Sequence, residues 1–466
     1  MKRYLLVLLL AGCAVGPDYH RPAVEAPAEF KEMKGWRAAT PADALPRGDW
    51  WTAFGDADLD ALMKRVDVSN FNLRAAEARV RQARALADSA RAGYFPTIGA
   101  GAIATRSKSP SLPNAPTTTA AVSTYSATVN ASWELDLWGK VRRAVEAGDA
   151  GWQASAADLE TARLSARASL ATSYFTLRLT DGFRQILEDT VAAYERSLVL
   201  TRNRYNAGVV ARVDVVQAEV QWKSAQAQLV DLSVDRAQLE HAIALLVGVA
   251  PANFSLERKP LALAMPQVPL TLPSDLLERR PDVASAERNV AAANARIGVA
   301  KAAFFPTLTL SGAGGYRGTD LGDLFLAPAR FWSLGAALAQ PLFDGGARSA
   351  ASDQAVAAYD EQVALYRQAV LAGFQEVEDN LAALRILADE ALVQDEVVEG
   401  SRRNVELTLN QYNAGVVSYL NVIVAQATLL QNERTAAQLL GRRLTASINL
   451  VRAAGGGWTA EDLPRR

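Results

Sequence analysis

The sequence predicts a mostly helical chain, built twice, with a small amount of membrane-type β-structure in each half. Three observations carry this reading. Tyr205-Asn206-Ala207-Gly208-Val209-Val210 returns letter for letter as Tyr412-Asn413-Ala414-Gly415-Val416-Val417, 207 positions later. No proline interrupts the chain from Gly139 to Tyr205, a stretch rich in good helix formers. From Val122 to Trp133 the period changes to two, with Tyr125, Ala127, Val129, Ala131 and Trp133 on one face and Thr124, Ser126, Thr128, Asn130 and Ser132 on the other. That alternation suits a strand with lipid on one side and water on the other.

The repeat is not confined to one site. Leu135 pairs with Leu342 at the same shift, Tyr94-Phe95-Pro96-Thr97-Ile98 pairs with Phe304-Phe305-Pro306-Thr307-Leu308 at a shift of 210, and Glu77-Ala78-Arg79-Val80 pairs loosely with Glu287-Arg288-Asn289-Val290. Landmarks in one order define a unit of roughly two hundred residues, too long for a solenoid repeat, so the chain reads as two fused equivalent halves.

Composition narrows the function classes. Of 466 residues 50% are apolar, and the formal net charge is −1. Mean hydropathy is +0.00 and the pI about 6.3. The absence of any basic patch argues against nucleic acid as a partner. Cys13 is the single cysteine, and the two histidines, His20 and His241, lie far apart, so neither a disulfide nor a Cys/His metal site is expected. There is no P-loop; Gly312-Ala313-Gly314-Gly315 is a weak glycine-rich match inside a predicted strand. No constellation supports nucleophilic or metal catalysis, so no enzyme, no metal and no cofactor is expected.

In chain order, Met1-Lys2-Arg3, a short apolar run from Tyr4 to Leu10, and small residues before Cys13 make 1–12 a signal peptide. No other stretch is long and apolar enough for a spanning helix, so any membrane crossing must use strands. Residues 13–56 form a Pro-rich leader whose Trp36, Trp50, Trp51 and Phe54 suggest docking rather than free motion. The first repeat, 57–248, contains a helix from Ala57 to Gly93 capped by Asp56 or Asp58, strands at about 95–106 and 122–135, a long helix 139–205 and a return helix 212–248. At about 1.5 Å per residue the long helix would span about 100 Å. Leu170, Tyr174, Leu177, Leu187, Val191, Tyr194 and Leu198 give it a coiled-coil-like seam. A linker, 249–273, leads to the second repeat, 274–454, with a helix opened by Arg280-Pro281-Asp282-Val283 and running to about Ala303, strands at about 305–317 and 331–343, a long helix 346–412 and a return helix 416–453. Its seam reads Val356, Tyr359, Val363, Tyr366, Val370, Phe374, Val377, Leu381 and Leu384; residues 455–466 are a tail. Trp332, Leu334, Ala336 and Leu338 fall opposite Tyr125, Ala127, Val129 and Ala131 at the repeat shift, so both halves turn one kind of face to lipid. Four strands cannot close a barrel, and an open edge cannot sit in hydrocarbon, so copies must share a sheet. Two copies give a bore filled by side chains; three leave room for a channel.

Leu10-Ala11-Gly12-Cys13 resembles the bacterial lipobox. With Gly16-Pro17-Asp18-Tyr19 and Arg21-Pro22, the Arg280-Pro281-Asp282-Val283 and Phe-Phe-Pro-Thr motifs and the twin Tyr-Asn-Ala-Gly turns, nearly the whole chain resembles the outer membrane factor family, TolC-like exit ducts of tripartite efflux pumps, in its lipoprotein branch. The resemblance implies a diacylglycerol thioether and an acylated amine on Cys13, with Ala14 permitting outer-membrane sorting. It implies a homotrimer with a twelve-stranded outer-membrane β-barrel continuous with a long periplasmic α-helical barrel, the leader and linker packing around its equator. Asn206, Gly208, Asn413 and Gly415 would sit at the periplasmic tip, facing a membrane-fusion adaptor and an inner-membrane RND-type pump. The function implied is a passive exit duct for drugs or toxic small molecules. Leu420 falls on the hydrophobic position of the closed aperture, and Asn421 and Val424 fall where some members carry Asp. A lock joining Tyr412 to Asp214 is implied, with Val417 where some members place a further arginine.

Competing readings are a duct for type I protein secretion, metal-ion efflux and, from another class, a periplasmic coiled-coil lipoprotein that spaces the membranes.

Overall fold

The computed structural model describes residues 14–25, 27, 29–32, 49–108, 120–259, 279–458 and 463–464. Cys13, the expected signal peptide, Trp36 and most of the inter-repeat linker lie outside the described residues. The chain divides into two compact units. One gathers Met1–Ala23, Arg79–Ser155 and Ala286–Tyr366; the other gathers Val24–Ala78, Ala156–Ser285 and Arg367–Arg466.

Helices dominate. After a 3-10 turn at Trp50–Phe54 come α1 (Ala57–Ser69) and α2 (Phe71–Ala92), then β1 (Thr97–Ser107) and β2 (Val122–Leu135). The long helices are α3 (Lys140–Asn206) and α4 (Arg212–Leu246). The second half repeats the order as α5 (Pro281–Ala302), β3 (Thr307–Gly318), β4 (Arg330–Ala339), α6 (Ala347–Asn413) and α7 (Tyr419–Ala453). The rods α3 and α6 have 67 residues each and the return helices α4 and α7 have 35 each, every boundary displaced by 207.

The single helix expected from Ala57 to Gly93 is two. Asn70 breaks it in an extended conformation (φ −68°, ψ 118°). Its Oδ1 then caps α2 by accepting from the backbone N–H of Asn72 and Leu73 at 2.9 and 3.1 Å. Asp56 caps α1, accepting from Asp58 and Leu59 at 2.9 and 3.0 Å. Each rod starts on a carboxylate too: Asp136 accepts from Val141 and Arg142 at 2.9 Å, and Asp344 accepts from Gly346 at 3.1 Å and Arg348 at 3.2 Å. The strands β1 and β3 begin after Pro96 and Pro306, and β4 stops at Ala339, short of the expected end, just before Pro341.

In the first unit the four strands form one antiparallel sheet in the order β1-β2-β3-β4. Residues directly opposite share a face. Ala102 faces Ala127 and Ala127 faces Tyr316, which in turn faces Arg330; Ala100 faces Val129, then Gly314, then Trp332. Trp138 stacks on Phe305 at 4.9 Å and its Nε1 donates to the Pro306 carbonyl at 2.6 Å, which fixes the start of β3.

In the second unit the main core joins Trp50, Trp51, Phe54, Leu59 and Met63 to Leu170, Tyr174, Phe175 and Leu177 of α3 and to Ile243, Val247 and Ile448. A smaller cluster seats the leader's Phe30 on Val377, Leu381, Leu384 and Leu450. The leader therefore docks against both helix pairs. Among the described residues the buried charged side chains are paired. Arg178 meets Asp58 at 3.0 Å and the Glu257 carbonyl at 2.6 Å, while Arg236 meets Asp181 at 2.8 Å. Lys259 Nζ, at 2.8 Å, holds the Asp58 carboxyl below its ordinary pKa. Arg280 of the Arg-Pro-Asp-Val motif takes Asp282 at 2.6 Å, Glu376 at 2.9 Å and the Ala453 carbonyl at 3.1 Å.

Candidate functional site

Three places carry functional geometry: the helix turns, the sheet faces and the leader contact.

The twin turns are built alike because their sequences are identical. Gly208 and Gly415 both have φ +75°, the left-handed conformation that ends a helix without a Cβ penalty. Val209 N–H donates to the Arg204 carbonyl and Val416 N–H to the Gln411 carbonyl, each at 2.9 Å. Asn206 and Asn413 are exposed beside them. The tyrosines that open the motifs differ sharply, however. Tyr205 is exposed, whereas Tyr412 is 2% exposed within a cluster of Leu198, Ala218, Tyr419 and Val422. The Arg204 guanidinium lies 4.5 Å from the Tyr412 ring centroid and donates to the Tyr412 carbonyl. At the equivalent place in the other half stands Gln411, which lacks a charge.

Within the single chain, no hydrogen bond joins Tyr412 to Asp214 among the described residues. The Tyr412 hydroxyl lies 3.3 Å from Thr201 Oγ1, which itself donates to the Ser197 carbonyl at 2.8 Å. The physical reason is that the ring is drawn into the apolar cluster, where Thr201 is the hydroxyl partner within reach. Asp214 sits half-buried in the first turn of α4. Sequence reasoning missed Thr201 and Arg204. The signal available was Arg204 itself, a cation one residue before a repeated motif whose copy has none.

Beyond the second turn, α7 buries Tyr419, Val422 and Gln426 and leaves Leu420, Asn421 and Val424 exposed, Leu420 at 55%. An open groove of about 650 Å³ runs beside Leu420, lined also by Tyr194, Val216, Val220, Ile423 and Arg434. All three aperture candidates thus lie on an uncovered stripe with no charge of its own.

On the sheet, the apolar face carries Ile98, Ala100 and Ala102 of β1, Tyr125, Val129 and Trp133 of β2, Leu308, Leu310 and Tyr316 of β3, and Trp332, Leu334 and Leu338 of β4. Trp332 and Leu334 are 78% and 80% exposed. The opposite face carries Thr, Ser, Asn, Gly and Ala in the main.

The leader motif has a structural reason of its own. Gly16, at φ +109°, crosses Gly298 so closely that a Cβ on Gly16 would lie 2.5 Å from the Gly298 Cα. The Pro17 carbonyl accepts from Asn294 Nδ2 at 3.0 Å, Asp18 meets Arg143 at 2.8 Å, and the Tyr19 hydroxyl donates to the buried Glu287 carboxylate. Burial and that carboxylate push the Tyr19 phenol well above its ordinary range.

A four-stranded sheet with one largely apolar, bare face, in a chain whose halves each close on a long helical hairpin, fits an outer-membrane class of protein. The chain belongs to the outer membrane efflux protein family, whose model matches residues 62–249 and 272–456, one segment in each half. It is 32% identical over 459 residues to the toluene efflux pump outer membrane protein TtgC of Pseudomonas putida, covering 97% of this chain and 94% of that protein. It is 33% identical over 470 residues to the pyoverdine export outer membrane protein OpmQ of Pseudomonas aeruginosa, covering 99% and 98%. Among solved structures, the outer-membrane channel OprN matches with a TM-score of 0.89 at 30% identity, over 96% of this chain and 100% of that one. The protein is an outer-membrane component of an efflux system that extends into the periplasm; the reading as a periplasmic spacer lipoprotein is set aside.

Proposed function

We propose that three copies pool their sheets into a twelve-stranded barrel and act as the passive exit duct of a tripartite pump, receiving cargo from a periplasmic adaptor and an inner-membrane RND-type transporter. The observation that carries this is the sheet: an apolar face that runs across all four strands, interrupted by Arg106 and Arg330 only near its loop end, with β1 and β4 each paired on one side only among the described strands. Unpaired strand edges are not tolerated in hydrocarbon, so the edge of one copy needs the edge of the next. Three copies give the smallest closed sheet with an open bore.

Cys13 carries the anchoring lipid, and the leader contact at Gly16–Tyr19 holds the anchored end against α3 and α5. Leu420, Asn421 and Val424 line the closed aperture, which the residues present make neutral. The exposed Asn206, Gly208, Asn413 and Gly415 meet the adaptor. Relatives named for toluene and pyoverdine support small organic cargo. The four methionines are scattered, which disfavours a path for soft metal ions.

The test is oligomeric state with conduction. Purified protein in density-matched detergent should sediment as three copies and give discrete conductance steps in a planar bilayer. A one-copy or two-copy particle, or a trimer that never conducts, rejects the reading.

A further inference from the structure

Arg317 and Phe331 are out of character with the wall they stand on. Arg317 lies opposite Ser126, while Phe331 lies opposite Gly315, which lies opposite Thr128; both therefore belong to the polar face, near the β3–β4 loop. They are diagonal neighbours across the strand pair. The Arg317 guanidinium lies 4.9 Å from the Phe331 ring centroid, a cation–π contact. Phe331 is half-buried and Arg317 exposed, so the ring holds the cation over the face and leaves its outer side open.

Among the described strand residues of this face one other charge occurs. Glu134 lies at the opposite end of the sheet, and Lys140 Nζ meets it at 3.0 Å. Arg317 is thus the charge left over on a wall otherwise built of neutral residues, most of them small, with Ile103 the apolar exception in its own cross-strand row. The loop beyond it carries Asp320 and Asp323. Asp320 Oδ1 accepts from the Gly322 N–H at 2.7 Å, and the contact that Arg317 makes among the described residues is with the Phe331 ring rather than with either carboxylate.

We propose that Arg317, pinned on Phe331, is a specificity-determining residue: contributed once by each copy, it forms a positive collar near the loop end of the pore that gathers anionic solutes, multivalent ones most strongly. This rests on the reading of the polar face as a pore wall. A Debye length of about 30 Å at 0.01 M salt lets the charges of several copies act together across a bore, and about 3 Å at 1 M removes that action. Fixed charge in a confined, low-dielectric mouth raises the local concentration of counter-ions by about tenfold or more.

The experiment uses the full-length lipoprotein in neutral detergent, with the sulfonated dye pyranine as the polyanion. Fluorescence anisotropy in about 0.02 M salt should give saturable binding, weakened at least tenfold by Arg317→Gln, kept by Arg317→Lys and partly lost in Phe331→Ala. High salt should abolish it. Sedimentation of the same samples reports assembly. A trimer that binds no dye, or binds it equally well after Arg317→Gln, overturns the collar and leaves the duct standing. A net repulsion of the dye would show the loop carboxylates dominating and overturns it too. A wild-type protein that sediments as one copy brings down the pore reading and the collar with it.

Discussion

Tyr412 sits where an arginine, a threonine and an apolar cluster meet, and each contact has a distinct cost of removal. Losing a hydrogen bond from a charged donor costs about 1.5–3 kcal/mol, more than a neutral pair. Arg204→Ala should therefore loosen the second turn more than Thr201→Val, and both should raise the conductance of the resting channel, Arg204→Ala by roughly tenfold in open probability. Asp214→Ala should leave it unchanged. Single-channel recording decides; a response confined to Asp214→Ala would restore the tyrosine–aspartate lock. At the other end of the chain, Gly16 meets Gly298 backbone to backbone. Gly16→Ala should lower stability by about 1–3 kcal/mol, because backbone cannot move aside as a flexible side chain can. An unchanged thermal midpoint would mean the leader does not cross there. The motif around Gly16 was legible as a resemblance; its cause was not, since Gly298, Asn294 and Glu287 lie far along the chain and carry no local mark.

Elements with a long period were read most easily. Both rods follow from proline-free stretches with a steady apolar seam, and the return helices follow from the glycine turns. The break at Asn70 was missed because an asparagine in a helical pattern signals a cap only when the neighbouring fold bends the chain there; Leu246 supplies that bend by accepting from Asn70 Nδ2 at 2.8 Å. The carboxylate caps Asp136 and Asp344 were missed since each lies several residues before its helix. The sheet faces were legible because a one-residue slip in any strand would have mixed them. This gives a sharp element-scale test. Leu334→Arg should destabilise the inserted sheet by about 2–4 kcal/mol, whereas Ser333→Arg, one position along and on the other face, should cost at most about 1 kcal/mol. Urea unfolding from lipid vesicles compares them; equal costs would mean the faces are misassigned.

For the molecule as a whole, the seam of the second rod reports on assembly. From Tyr366 to Leu384 its apolar positions are covered, Tyr366, Val370, Val377 and Leu381 nearly completely, yet Val356 remains 40% exposed. An apolar seam that continues past its cover within one chain calls for cover from another. Val356→Asp should weaken the proposed trimer by at least about tenfold in dissociation constant, read by sedimentation, with helical content intact; assembly indifferent to the change would place its contacts elsewhere. The duplication also has a limit, and Arg204 marks it. The halves share the lengths of their rods and return helices to the residue, but one tyrosine is shielded by a neighbouring cation and the other stands bare. Three copies arranged in a ring would therefore display six hairpin ends of two alternating kinds, and a sixfold visitor docking on them would find every second berth different from the one beside it.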